Sequence, residues 1–155
     1  MKQALHKLTG RFATDDSAVA VVEFALILPV MLLLYLGTME ASALISMDRR
    51  VQTVAGTIGD LVAREDPAVY SATLKDYFQA AEHIIAPFPT DSLVQTVSLV
   101  AIDADGEATI EWSRKFTSGT SDHVVGHANG ATYDLPDEIT SLALNGHVVV
   151  SEASF

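Results

Sequence analysis

The pattern of hydrophobic and polar positions changes character three times along this chain. Residues 18–40, AVAVVEFALILPVMLLLYLGTME, form an apolar run in which Glu23 is the only charge before Glu40. That run exceeds the roughly 20 residues a helix needs to cross a hydrocarbon core about 30 Å thick. It is also too uniformly apolar to be one face of an amphipathic helix. From there on the apolar residues thin to three- and four-residue steps: Leu44, Met47, Val51, Val54, Ile58 and Leu61, with Asp48, Arg49, Gln52 and Asp60 on other faces. This spacing predicts an amphipathic continuation of the first helix. Asp66-Pro67 reads as an N-cap followed by proline at the first helical position. Val69, Tyr70, Leu74, Tyr77, Phe78, Ala81, Ile84 and Ile85 then predict a second helix, ending before Pro87-Phe88-Pro89.

After Pro89 the period falls to two. Residues 93–103, LVQTVSLVAID, read as a strand, and Asp103-Ala104-Asp105-Gly106 as a tight turn. On the returning strand Ala108, Ile110 and Trp112 alternate with Thr109, Glu111 and Ser113. Residues 117–132, TSGTSDHVVGHANGAT, have the composition of a loop. Leu135-Pro136-Asp137-Glu138 opens a short helical turn, Asn145-Gly146 is a turn, and His147 to Ala153 a final strand. The expected architecture is α+β: a long N-terminal membrane helix, a second helix and a small antiparallel sheet. The expected divisions are 1–17 as a cytoplasmic leader, 18–40 as the membrane helix, 41–86 as helical stalk and second helix, and 87–155 as the β-rich domain.

Charge narrows the functional classes. From Asp48 onward there are 6 Lys and Arg against 16 Asp and Glu, a balance of −10. Such a surface is soluble and self-repelling, and it does not suit nucleic acid, whose phosphates call for clustered cations. No cysteine is present, which excludes disulfides, thiolate metal sites and a cysteine nucleophile. Before the apolar run stand Lys2, Lys7 and Arg11, with no acid before Asp15. This basic tail favours a cytoplasmic N-terminus with the larger part exported. A cleaved secretory signal is the rival, since Ala41-Ser42-Ala43 fits an A-x-A cleavage pattern. The apolar stretch is longer than a signal's, and it holds a glutamate.

Glu23 raises the central question, because a carboxylate at the centre of a spanning helix costs about 2.5–3.5 kcal/mol on insertion scales. Three readings stand: a boundary residue about 7.5 Å along the helix from Ala18, an intramembrane group on a transport path, or an assembly residue neutralised by another chain. Elsewhere, Asp103-x-Asp105-Gly106 shows the first beat of a calcium loop without its later ligands. His123 and His127 carry metal-like spacing in a glycine-rich loop, where that spacing loses its meaning. No nucleophile elbow, phosphate loop or HExxH motif occurs, so no catalytic residue, metal or cofactor is expected.

The stretch Ala20-Val21-Val22-Glu23-Phe24-Ala25-Leu26-Ile27-Leu28-Pro29 resembles the N-terminal signature of TadE-like proteins, the pseudopilins or minor pilins of the tight-adherence (Flp-type) pilus machinery. In that family a basic leader precedes a small residue, four further residues, and then Glu followed by Phe or Tyr. The apolar helix follows, with an early proline, here Pro29, and often a glutamate near its outer end, here Glu40. VVVSEASF at the C-terminus is similar to the family's closing strand.

The resemblance implies removal of the leader between Ala18 and Val19, and a carboxylate at Glu23 paired with the α-amino group that cleavage exposes on a neighbouring subunit. Alanine stands at position 18, where the class usually has glycine. The partners it implies are the prepilin peptidase, sibling TadE-like pseudopilins, the major Flp pilin, the inner-membrane assembly platform and inner-membrane lipid. Two other classes remain open: an unprocessed single-pass protein with an acidic exported binding domain, and a binding protein released by cleavage after Ala43. A mature chain beginning at Val19, Met1 or Leu44 separates the three.

Overall fold

The structure is a computed structural model that describes residues 16–65 and 69–155. It divides into two compact units, Met1–Ile45 and Ser46–Phe155. Helix α1 (Asp16–Ala63) contributes to both, and it runs through Pro29 without a break. Proline has no N–H to donate to the Ala25 carbonyl, a loss that membrane helices tolerate through neighbours and local adjustment. In the first unit every described side chain from Val19 to Ile45 is exposed.

The second unit is α+β. After α1 come α2 (Ser71–Glu82), a single 3-10 turn (His83–Ile85), β1 (Val94–Ile102), β2 (Ala108–Thr117), β3 (Val124–Val125), α3 (Asp137–Leu142) and β4 (Gly146–Ser154). All pairings are antiparallel, in the order β3-β2-β1-β4. The β1–β2 hairpin closes as the residue pattern predicts. The Asp103 carboxylate accepts backbone N–H bonds from Asp105 (2.9 Å) and Glu107 (2.8 Å), and Gly106 takes a φ of +86° that a side chain would resist.

The sheet is buried on both faces. One face meets the helices, where Val54, Ile58 and Val62 of α1 and Leu74, Phe78 and Ala81 of α2 join Val97 and Phe116 in one cluster. The Phe78 and Phe116 rings stack 5.4 Å apart. Each such aromatic side chain, fully buried, contributes about 1.5–3 kcal/mol. The seam between α1 and β4 is close: Ser151 Oγ donates to the Ala55 carbonyl at 2.6 Å. A Cβ at Gly59 would come within 2.7 Å of that same hydroxyl, so glycine is what lets helix and strand approach. Arg50 Nη1 reaches the Ile84 carbonyl (2.9 Å) and ties α1 to the end of the second helical segment.

The opposite face carries Val100, Ile102, Ala108 and Ile110, and it is covered by the loop after β3 through Ala131, Tyr133 and Leu135. Ser98 Oγ donates to Ser113 Oγ (2.9 Å), and Ser113 Oγ accepts the His127 N–H (3.0 Å), so two buried serines pin that loop to the sheet. A Cβ at Gly126 would overlap Ser113 Oγ and sit 2.9 Å from a Thr96 methyl.

Several expectations are corrected by these contacts. Trp112 does not share a face with Ala108 and Ile110. A bulge opposite Leu99/Val100 pairs Leu99 with Trp112 and Val100 with Ile110, so Glu111 is the extra residue and the later alternation is inverted. Trp112 therefore packs with the helix-side cluster, and Ser113 faces the loop layer. On α1 it is Val62 rather than Leu61 that is fully buried, and Leu44 is exposed. Tyr70 is extended and exposed and serves as the N-cap position of α2, so the helix begins at Ser71. The Asp66-Pro67 start lies outside the described residues, as do Lys2, Lys7 and Arg11. The segment 117–132 contains the short strand β3, and its end, Ala131, joins Tyr133 and Leu135 in covering one sheet face.

Candidate assembly site on the N-terminal helix

The residues that the sequence singles out for processing and assembly all fall on α1. Ala18 is within the helix, and Val19 follows at 47% exposure. Glu23 stands four positions after Val19, so the two lie one turn apart on the same face. Phe24, next along the chain, is also exposed. Glu40 is exposed at the far end of the run, 17 positions beyond Glu23, which is about 25 Å along a helix. That separation approaches the thickness of a hydrocarbon core, so the two carboxylates bracket the uncharged stretch. Between them Thr38 Oγ1 donates to the Tyr35 carbonyl (2.8 Å), so that hydroxyl is satisfied within the helix.

The chemistry available at Glu23 follows from its surroundings. Phe24 to Met39 supply no cation, and Val19 and Glu23 share a face. An ammonium created at residue 19 would meet both the helix's own first turn and a carboxylate one turn on. A charged pair brought together in lipid costs far less than either charge alone.

The second unit contains polar groupings that spacing along the chain does not reveal. His127 Nε2 lies 2.7 Å from Glu152 Oε2, while the Tyr133 hydroxyl donates to Glu152 Oε1 at 2.9 Å. The His127 and Tyr133 rings meet edge to face at 5.7 Å. Burial and the neighbouring carboxylate push the Tyr133 hydroxyl up to about 12. The Tyr77 hydroxyl donates to Glu65, and that bond raises the Tyr77 pKa. His123 Nε2 lies 3.0 Å from Ser71 Oγ and its ring packs edge-on to Phe78. His147 sits 3.1 Å from Glu111, the bulge residue. The two loop histidines thus serve different layers, His123 the helix side and His127 the loop side. Among the described residues no group of three or more His, Asp or Glu is arranged to hold a metal.

Among the described residues one helix, near the N-terminus, is long and apolar enough to cross a membrane, which suits a membrane anchor, and a separate α+β unit follows it. Residues 18–58 match the family model of the TadE-like proteins, so the resemblance read from the signature is upheld over that segment. Comparison with curated proteins and with solved structures gives no match.

Proposed function

We propose that the chain is a membrane-anchored pseudopilin, or minor pilin, that takes part in assembling or initiating a tight-adherence (Flp-type) pilus. The reading rests on one coincidence: the TadE-like match covers the stretch in which Glu23 is the sole charge before Glu40 and stands one exposed turn from Val19. In this reading the protein sits in the bacterial inner membrane, with its N-terminus cytoplasmic and its second unit periplasmic. A prepilin peptidase cuts between Ala18 and Val19, within the first turn of α1, where a helix has the fewest backbone bonds to break. The new amine of one subunit pairs with Glu23 of a neighbour, which sets the axial register of stacked helices. Sibling TadE-like pseudopilins, the major pilin and the inner-membrane platform are the partners, and the role is structural rather than enzymatic.

Intact mass and N-terminal sequence of the protein from membranes, with and without the prepilin peptidase, test this. The expected result is a mature chain starting at Val19 only when the peptidase is present. A start at Met1 in both would sink the processing and leave an unprocessed anchor with an acidic exported unit. That second reading has its own observation, alanine rather than glycine before the cut.

A further inference from the structure

The two edges of the sheet are treated differently. Which backbone groups face which way follows from bonds at both ends of the hairpin: the Asp103 N–H donates to the Glu107 carbonyl, and the Ser118 N–H to the Leu93 carbonyl. Odd-numbered residues of β1 therefore bond to β2, and even-numbered ones to β4. Through the unbroken register Ile102↔Gly146 to Val94↔Ser154, the even residues of β4 face β1. His147, Val149, Ser151 and Ala153 then direct their N–H and C=O groups away from the sheet.

The outer edge of β2 is closed by the chain itself. The Ala108 carbonyl accepts from Tyr133 N–H, Ile110 exchanges bonds with Ala131 and Gly130, and the Ser113 carbonyl accepts from Gly126. Farther along, Lys115 pairs with Val124, and the Thr117 carbonyl accepts from Thr120. Nothing comparable lies along β4 among the described residues. Of the usual protections of an open edge, β4 has neither lysine nor proline, its pairing with β1 has no bulge, and its one carboxylate, Glu152, is held by His127 and Tyr133.

We infer that the free edge of β4 is a docking site for an extended, positively charged segment of a different protein, which adds a strand beside His147–Ala153. Backbone complementarity supplies the first half of that assignment, with four N–H and C=O pairs awaiting partners. Charge supplies the second: the unit carries 6 Lys and Arg against 16 Asp and Glu, and no cation occurs after Lys115. An acidic strand is repelled there and a basic one attracted.

A second copy of this chain fits less well. Head-to-tail pairing needs the outer edge of β2, which is closed. Two-fold pairing of β4 with β4 reverses the direction of everything packed on the sheet. The α1 segment in this unit runs antiparallel to β4, with Ala55 over Ser151 and Val62 sharing a cleft with Val149 and His147. In such a dimer two units of 6 − 16 = −10 would meet edge to edge, and like charge opposes that.

The site rests on the second unit alone, so it stands or falls independently of the pilus reading. The test uses the full chain in detergent micelles and, as probe, a synthetic peptide of alternating valine and threonine with lysine at both ends. Hydrogen exchange is followed amide by amide. In the free protein, exchange at residues 147, 149, 151 and 153 is expected to be fast, and at 148, 150 and 152 slow. Saturating probe should slow the odd-numbered set by at least about tenfold. A peptide with a central proline should have no effect, and one with glutamate ends should bind more weakly. Ala153→Pro, which removes an outward N–H and no bond to β1, should weaken binding while the melting temperature holds.

Unchanged odd-numbered amides at the highest probe concentration overturn the inference. So does slow exchange at those amides in the dilute free protein, because the edge is then already covered. Slowing that grows with protein concentration alone replaces the foreign strand with a second copy. Equal binding of the glutamate-ended peptide removes the charge preference.

Discussion

Gln95 is fully buried in β1, its amide nitrogen 3.3 Å from the Phe78 carbonyl and its Oε1 without a partner among the described residues. A buried polar atom left unsatisfied costs about 1–3 kcal/mol. Gln95→Met keeps the volume and removes that atom, so stability should hold or rise by up to about 1 kcal/mol. A denaturant-midpoint measurement checks this, and a clear loss would mean that the amide is better bonded than it looks. Tyr133 offers a second residue-level prediction. Its folded pKa of about 12 lies above the ordinary 10.0, so the native state holds the proton more tightly than the unfolded chain does. The corresponding stability is complete below pH 10 and is lost as pH rises toward about 12. Glu152→Gln should bring the phenol's titration, followed by phenolate absorbance, only partway down, because burial is the larger cause and the carboxylate the smaller. None of this was legible in the sequence. Glu152 stands 25 positions from His127 and 19 from Tyr133, and only the fold brings it to them.

Among the elements, the seam between α1 and β4 is the most exacting. Gly59→Ala puts a methyl 2.7 Å from Ser151 Oγ and displaces the bond to the Ala55 carbonyl. The gain in helix propensity is about 1 kcal/mol, and overpacking costs about 1–3 kcal/mol. The expected net is a loss of up to about 2 kcal/mol, read from the unfolding midpoint. Gly59→Ala combined with Ser151→Ala should recover part of it. Both helices were legible because their apolar spacing is regular, and the hairpin because its turn residues are unambiguous. The bulge at Glu111 was not. An added residue leaves composition and local propensity unchanged, and it shows only when the partner strand reveals the register. The covering role of residues 126–135 was hidden for a related reason. Glycine and polar residues read as a loop, and Ser113 and Gly126 show their complementarity only in contact.

For the whole molecule, the division at Ile45/Ser46 separates what Glu23 does from what stabilises the second unit. Glu23→Ala should leave membrane insertion normal, since it removes a charge from an apolar run. It should leave the melting of the second unit unchanged and abolish piliation. Normal piliation in that strain would falsify the assembly role.

The sequence by itself determined the long apolar helix, the N-terminal signature, the α+β class and the order of the elements other than β3. Each is written in local periodicity, in a run long enough to span lipid, or in a motif confined to neighbouring residues. Only the tertiary structure decided which face Trp112 occupies, that a polar loop seals one side and one edge of the sheet, and that β4 is left open. Those outcomes depend on register and on contacts between residues distant along the chain. A one-residue shift inverts them without altering any local pattern.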